Sequence, residues 1–216
     1  IYRNRMIGLL GLGIAHGCLF FPGDILVIYA ITGSVLYCLR NAGVRTLVRL
    51  GAGLLVLQLA VGLPLLFAPF ETSAEILEYE RAAFDTGGFG EAVIFRSVGF
   101  AFTVPLFLAI QGISALGWFC LGLASVKSGM IDAADHPLWA RARRVCLVPG
   151  VVLSLIGAGM WQWGPVAGGV AVVVIVAPIT TLGYLGRIAA LSRPPGPIVA
   201  RALSAGGSSL SIYLGQ

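Results

Sequence analysis

The sequence predicts an all-α, polytopic membrane protein with about six to seven transmembrane helices and one short amphipathic helix at the interface. Three observations carry this. Hydrophobic residues make up 58% of the chain and charged residues only 11%, against about a quarter charged in an ordinary soluble domain. The apolar residues fall into blocks at 6–21, 25–39, 47–68, 97–126, 145–163, 165–191 and from 203 onward. The basic residues sit between these blocks on alternate sides, as the positive-inside rule requires of a chain that crosses a membrane repeatedly.

A spanning helix needs about 20 apolar residues, and blocks three to six supply them. Blocks one and two are shorter and are separated by Pro22-Gly23-Asp24. They are expected to sit deep, to be extended by flanking residues, or to form a re-entrant hairpin. Pro64, Pro105, Pro149 and Pro178 lie inside blocks. Each removes a backbone donor and favours a kink, which neighbouring helices make tolerable in lipid. Gly13-xxx-Gly17 and Gly164-xxx-Gly168 have the spacing for close helix contact.

The 70–96 connection has structure of its own. Thr72-Ser73-Ala74-Glu75 fits a capping box. Ile76, Leu77, Tyr79, Ala83 and Phe84 then share one helical face up to a stop at Gly87-Gly88. A short helix lying on the outer interface is the expectation.

Of the 14 basic residues, all but Arg81 and Arg96 fall on one side of the blocks. The other side holds Asp24 and the carboxylates of the 70–96 connection. This places the protein in a cell inner membrane, with the arginine-rich loops cytoplasmic and 70–96 extracytoplasmic. The net charge of +5 therefore reads as orientation in the bilayer, not as a nucleic-acid surface. The whole of 1–216 reads as one transmembrane domain, expected to be the C-terminal part of a longer protein.

Few residues are equipped for chemistry. His16 is ionisable within an apolar block, where such a side chain faces a cavity or a partner, and imidazole serves as a general base near neutral pH. Asp24 can cap the helix that follows it and orient His16 across the tight turn. Tyr29, one turn on, can line the same space. Gln58 and Gln111 are mid-block amides suited to interhelical hydrogen bonds or to lining a substrate path. Arg141, Arg143 and Arg144 form a basic cluster for anionic head groups or a phosphate-bearing donor. His136, beside Pro137, is expected to be solvated. Cys18, Cys38, Cys120 and Cys146 form no CxxC pair and read as small buried hydrophobes. No metal cluster is expected, and Walker A, GxSxG, HExxH and CxxCH patterns are missing from the sequence.

Arg5, the glycine-rich run to His16, Gly23-Asp24-Ile25-Leu26 and Tyr29-Ala30 together resemble the YeiB-like membrane family, also called domain of unknown function 418. Gly88-Phe89-Gly90-Glu91 with Arg96 resembles its outer loop. Gly206, Leu210, Tyr213-Leu214 and Gln216 resemble its last motif, with departures at Gly207 and Ile212, where a basic residue and an asparagine are usual. The family is similar to transmembrane acyltransferases. The resemblance thus implies transfer of an acyl group, with an acyl-CoA as donor substrate and no bound cofactor, to an extracytoplasmic lipid or small-molecule acceptor. It implies catalytic roles for His16 and Asp24, and substrate contacts for Arg5, Tyr29 and Tyr213, beside Gln58 and Gln111, whose mid-block positions suggest contact with substrate on their own. The residues also leave open a small-solute or lipid transporter, or a non-catalytic partner subunit.

Overall fold

The structure, a computed structural model, describes residues 1–65, 67, 74–191, 196, 197, 200, 201, 206, 210 and 213. All regular elements among them are helical. Contacts divide the chain into two compact units, 1–124 and 125–216.

The first unit opens with a helical hairpin. Helix α1 (Tyr2–Leu19) stops ahead of Pro22, and the N–H groups of Phe20 and Phe21 both turn back to the His16 carbonyl, at 2.9 and 3.0 Å. The Asp24 N–H donates to the Phe21 carbonyl at 3.2 Å, closing a turn with proline at its second position. Helix α2 (Leu26–Cys38) then runs back along α1. Gly13 permits the approach, because a methyl group there would stand 2.8 Å from the Val27 nitrogen. At the far end Tyr2 Oη donates to the Gly33 carbonyl at 2.7 Å. Gly17 faces the ring of Phe100, which fills the space a side chain would take. Gly13 and Gly17 therefore both serve close contacts, each with a different helix.

Helix α3 (Val44–Leu65) meets α6 (Ile113–Lys127), where Leu47, Cys120 and Ala124 form the buried cluster. Between them come α4 (Ala74–Arg81), a π-helical turn (Ala82–Thr86), the Gly87-Gly88 break and α5 (Phe89–Phe107). A second π-helical turn (Leu108–Gly112) joins α5 to α6, so helix is continuous over 39 residues, Phe89–Lys127. The short helix expected within 70–96 is present as α4. Its capping box at Thr72 and Ser73 lies outside the described residues. The expected connection ends sooner than 96, because helix resumes at Phe89 directly after the glycine pair and takes in Glu91 and Arg96.

In the second unit, α7 (Pro137–Trp163) and α8 (Val166–Leu191) form an antiparallel pair. Pro137 occupies the first helical position, where its missing N–H costs nothing. His136, expected to be solvated, is half-buried, and its Nδ1 accepts from the Leu138 N–H at 3.3 Å as the cap of α7. Trp139 Nε1 donates to the Met130 carbonyl at 3.0 Å, tying the preceding loop to the helix. Backbones meet where glycine faces the partner: Gly150 opposite Thr180, Gly157 opposite Val173, Gly183 opposite Leu147. Of the pair expected to do this, Gly164 faces the Met160 backbone at the end of α7, and Gly168 meets only the Met160 side-chain tip, at 3.4 Å, and Pro165. Chain reversal at Gly164-Pro165 explains the difference.

Four helical stretches are long and apolar enough to cross a membrane: Val44–Pro64, Phe89–Lys127, Pro137–Trp163 and Val166–Leu191. These are blocks three to six. The described residues thus carry four such helices, against the six to seven expected. Helix α1 has the length, but Arg3, Asn4, Arg5 and His16 lower its hydropathy. Helix α2 has 13 residues, about 20 Å at 1.5 Å rise each. Most of block seven lies outside the described residues. Among the cysteines, all are free; Cys120 is buried as expected, whereas Cys38 is exposed.

The glycine contacts yield a direct test. Gly183→Ala places a methyl 2.5 Å from Leu147 Cα and is expected to cost about 1–3 kcal/mol by overpacking. Gly122→Ala meets nothing within 4 Å and is expected to be neutral or to gain up to about 1 kcal/mol from helix propensity. Thermal unfolding of the two variants in detergent checks both.

Candidate functional site

Three helices of the first unit converge at the end of α1. His16 lies in the last turn of α1, closer to its end than the block boundary at 21 implied, because the helix stops at Leu19. Asp24 stands across the turn, 1% exposed. Its Oδ1 accepts the Leu26 N–H at 2.6 Å, satisfying a free donor of the first turn of α2. Its Oδ2 lies 2.7 Å from His16 Nδ1.

That geometry decides the tautomer. An ionised carboxylate only accepts hydrogen bonds, so with Asp24 ionised Nδ1 carries a proton and donates it. In a neutral ring Nε2 is then the basic nitrogen. The imidazole side chain is 15% exposed, and its ring lies 5.8 Å from that of Phe20. A histidine oriented by a buried carboxylate, with its other nitrogen basic, is the arrangement that supports proton abstraction from a hydroxyl or amine.

Arg96 of α5 braces this end. Its Nη1 donates to the Leu19 carbonyl at 3.0 Å, one of the acceptors left over where α1 stops. Its guanidinium also lies 4.9 Å from the Phe84 ring centre, and Phe84 meets Phe95 edge-on at 5.6 Å. One arginine thus links the end of α1, α5 and the π-helical turn before α5. Residue-by-residue reading missed this role for Arg96 and the seating of Phe100 on Gly17. The available signal was a lone arginine among aromatic residues at the start of an apolar helix.

The other candidates are dispersed. Tyr29 sits on α2 with its ring 5.7 Å from Phe119. Gln58 is half-buried on α3, and Gln111 is exposed in the second π-helical turn. Arg5 is exposed near the start of α1, about 16 Å from His16 along the helix. None of these four makes a hydrogen bond or ring contact with His16 or Asp24. Tyr213 is a half-buried helical residue of the second unit; Gly207, Ile212, Leu214 and Gln216 lie outside the described residues. Among the described residues no three His, Cys, Asp or Glu side chains converge as a metal site would need.

The tautomer is measurable. Nitrogen-15 NMR of the imidazole is expected to report the Nδ1–H form of His16 near neutral pH. In Asp24→Asn an amide N–H facing Nδ1 makes that nitrogen the acceptor, and the expected signal is the Nε2–H form. An unchanged spectrum would show that Asp24 does not set the ring.

No family model matches the chain, and no curated protein or solved structure matches it either.

Proposed function

We propose that this multi-pass membrane protein is a YeiB-like acyltransferase that passes an acyl group to an extracytoplasmic acceptor, with His16 as general base. One observation carries the reading: His16 Nδ1 lies 2.7 Å from a buried carboxylate whose other oxygen is held by the Leu26 N–H. In the proposed reaction Nε2 takes the proton of an acceptor hydroxyl. The hydroxyl oxygen bonds to the carbonyl carbon of an acyl thioester such as an acyl-coenzyme A. The C–S bond breaks, and the departing thiolate takes the proton from the imidazolium. Asp24 holds the ring in register and stabilises its charged form. Arg96 is a positioning residue that keeps the end of α1 in place.

In this reading the arginine-bearing ends of α1, α2 and α3 face the cytoplasm of a cell inner membrane. The His16–Asp24 turn and the acidic α4 face outward, with α4 lying on the outer interface. The distribution of basic residues supports this orientation.

His16→Ala is expected to lower acyl transfer by about 100- to 10,000-fold, and so is His16→Gln, whose amide keeps a donor for the buried Asp24. Full activity in either variant would remove the mechanism. Asp24→Asn, with Nε2 no longer basic, is expected to lose activity to a similar degree with little change in KM. Reporter tags placed at Glu78 and at Arg143 are expected in opposite compartments; the same compartment for both would overturn the orientation.

A further inference from the structure

The end of the first unit farthest from His16 holds a cavity of about 1040 Å³ between α1 and α2. That volume is at the upper end of the roughly 300–1,000 Å³ typical of small-molecule sites. Its walls are apolar, from Met6, Ile7 and Leu10 on one side and Ile31 and Val35 on the other. Its rim is polar and cationic, with Arg3, Asn4 and Tyr37. The rim is also braced. Tyr37 stacks on Tyr2 at 5.3 Å, and Tyr2 is anchored to the Gly33 carbonyl. The Arg40 guanidinium lies 4.3 Å from the Tyr37 ring centre and donates from Nη1 to the Tyr37 carbonyl at 3.1 Å.

The charge around this mouth is of one sign. Among the described residues no carboxylate lies within ion-pair reach of Arg3 or Arg40. In the first unit the described acids are Asp24, at the opposite end of the hairpin, and those from Glu75 to Glu91. A guanidinium uses its fork of donors on phosphate, and among the described residues of the first unit the mouth offers no acid to receive an ammonium group.

We propose that the cavity is a binding site for an anionic bilayer phospholipid. Its phosphate is held by Arg3 and Arg40, and one acyl chain lies between Ile7 and Leu10 of α1 and Ile31 and Val35 of α2. The proposal rests on the helices standing in a bilayer and is independent of the chemistry proposed for His16.

Native mass spectrometry of the full chain in a non-ionic detergent tests it, with phosphatidylglycerol and phosphatidylcholine as probes. Retention of phosphatidylglycerol over phosphatidylcholine is expected. Arg3→Gln and Arg40→Gln are each expected to weaken phosphatidylglycerol binding by roughly 5-fold. Val35→Trp or Ile7→Trp, which fill the groove and keep both charges, are expected to abolish it. All four positions are exposed, so the variants are expected to elute as the parent does. Equal binding of the two lipids would overturn the proposal. So would unchanged phosphatidylglycerol binding in both tryptophan variants, which would mark a surface charge effect. Displacement of the lipid by an equimolar soluble acyl thioester would reassign the cavity to a donor and equally overturn it.

Discussion

A carboxylate removed from water must have both oxygens answered, because an unpaired buried charge costs more than the pair contributes. The partners of Asp24 include two groups that the α1–α2 turn brings together: the Leu26 N–H and the His16 imidazole. Much of the first unit follows from that demand. Helix α1 has to end soon after His16, so Pro22 follows at once. Helix α2 has to start within two residues of Asp24. The two backbones have to come close, so Gly13 lies under Val27. Phe100 and Arg96 of α5 then cover the side of α1 that the hairpin leaves bare. The same interaction that lets the turn be buried also sets the ring that would do the chemistry.

The second unit is held on a different principle. The α7–α8 contact has little polar content beyond Ser154 Oγ, 3.1 Å from Thr180 Oγ1. Its closeness comes from small residues that let two backbones touch, as expected where lipid supplies no hydrophobic drive between helices. Dispersion summed over such a contact is sensitive to a single added methyl group.

Several features were legible in the sequence for physical reasons. Pro22-Gly23 leaves few ways to reverse the chain, so a histidine in the last turn before it and an aspartate just after it are bound to meet. The apolar blocks at 47–68, 97–126, 145–163 and 165–191 map onto the four stretches capable of spanning. What escaped depends on direction in space. Glycine spacing does not say which face of a helix meets a neighbour, so it singled out 164 and 168 and passed over 150, 157 and 183. Arg96 looked like part of an outer connection, because hydropathy cannot separate a charged loop from the first turns of a long helix. The capping role of His136 went unread, because a cap is defined by backbone geometry that its neighbours only hint at. Gln58 and Gln111 share a residue type but not a location.

The π-helical turn at Leu108–Gly112 gives one rod two allegiances. An added residue in an otherwise α-helical run advances the phase of all that follows by about 100°. Upstream of it, the helix aims Phe100 at Gly17 of α1; downstream, Gly117 and Cys120 face Gly51 and Leu47 of α3. Pro105, just ahead, leaves the ladder short of a donor where the change of pitch begins. The polypeptide thereby changes neighbours within 39 residues of unbroken helix, turning its contact face without a loop.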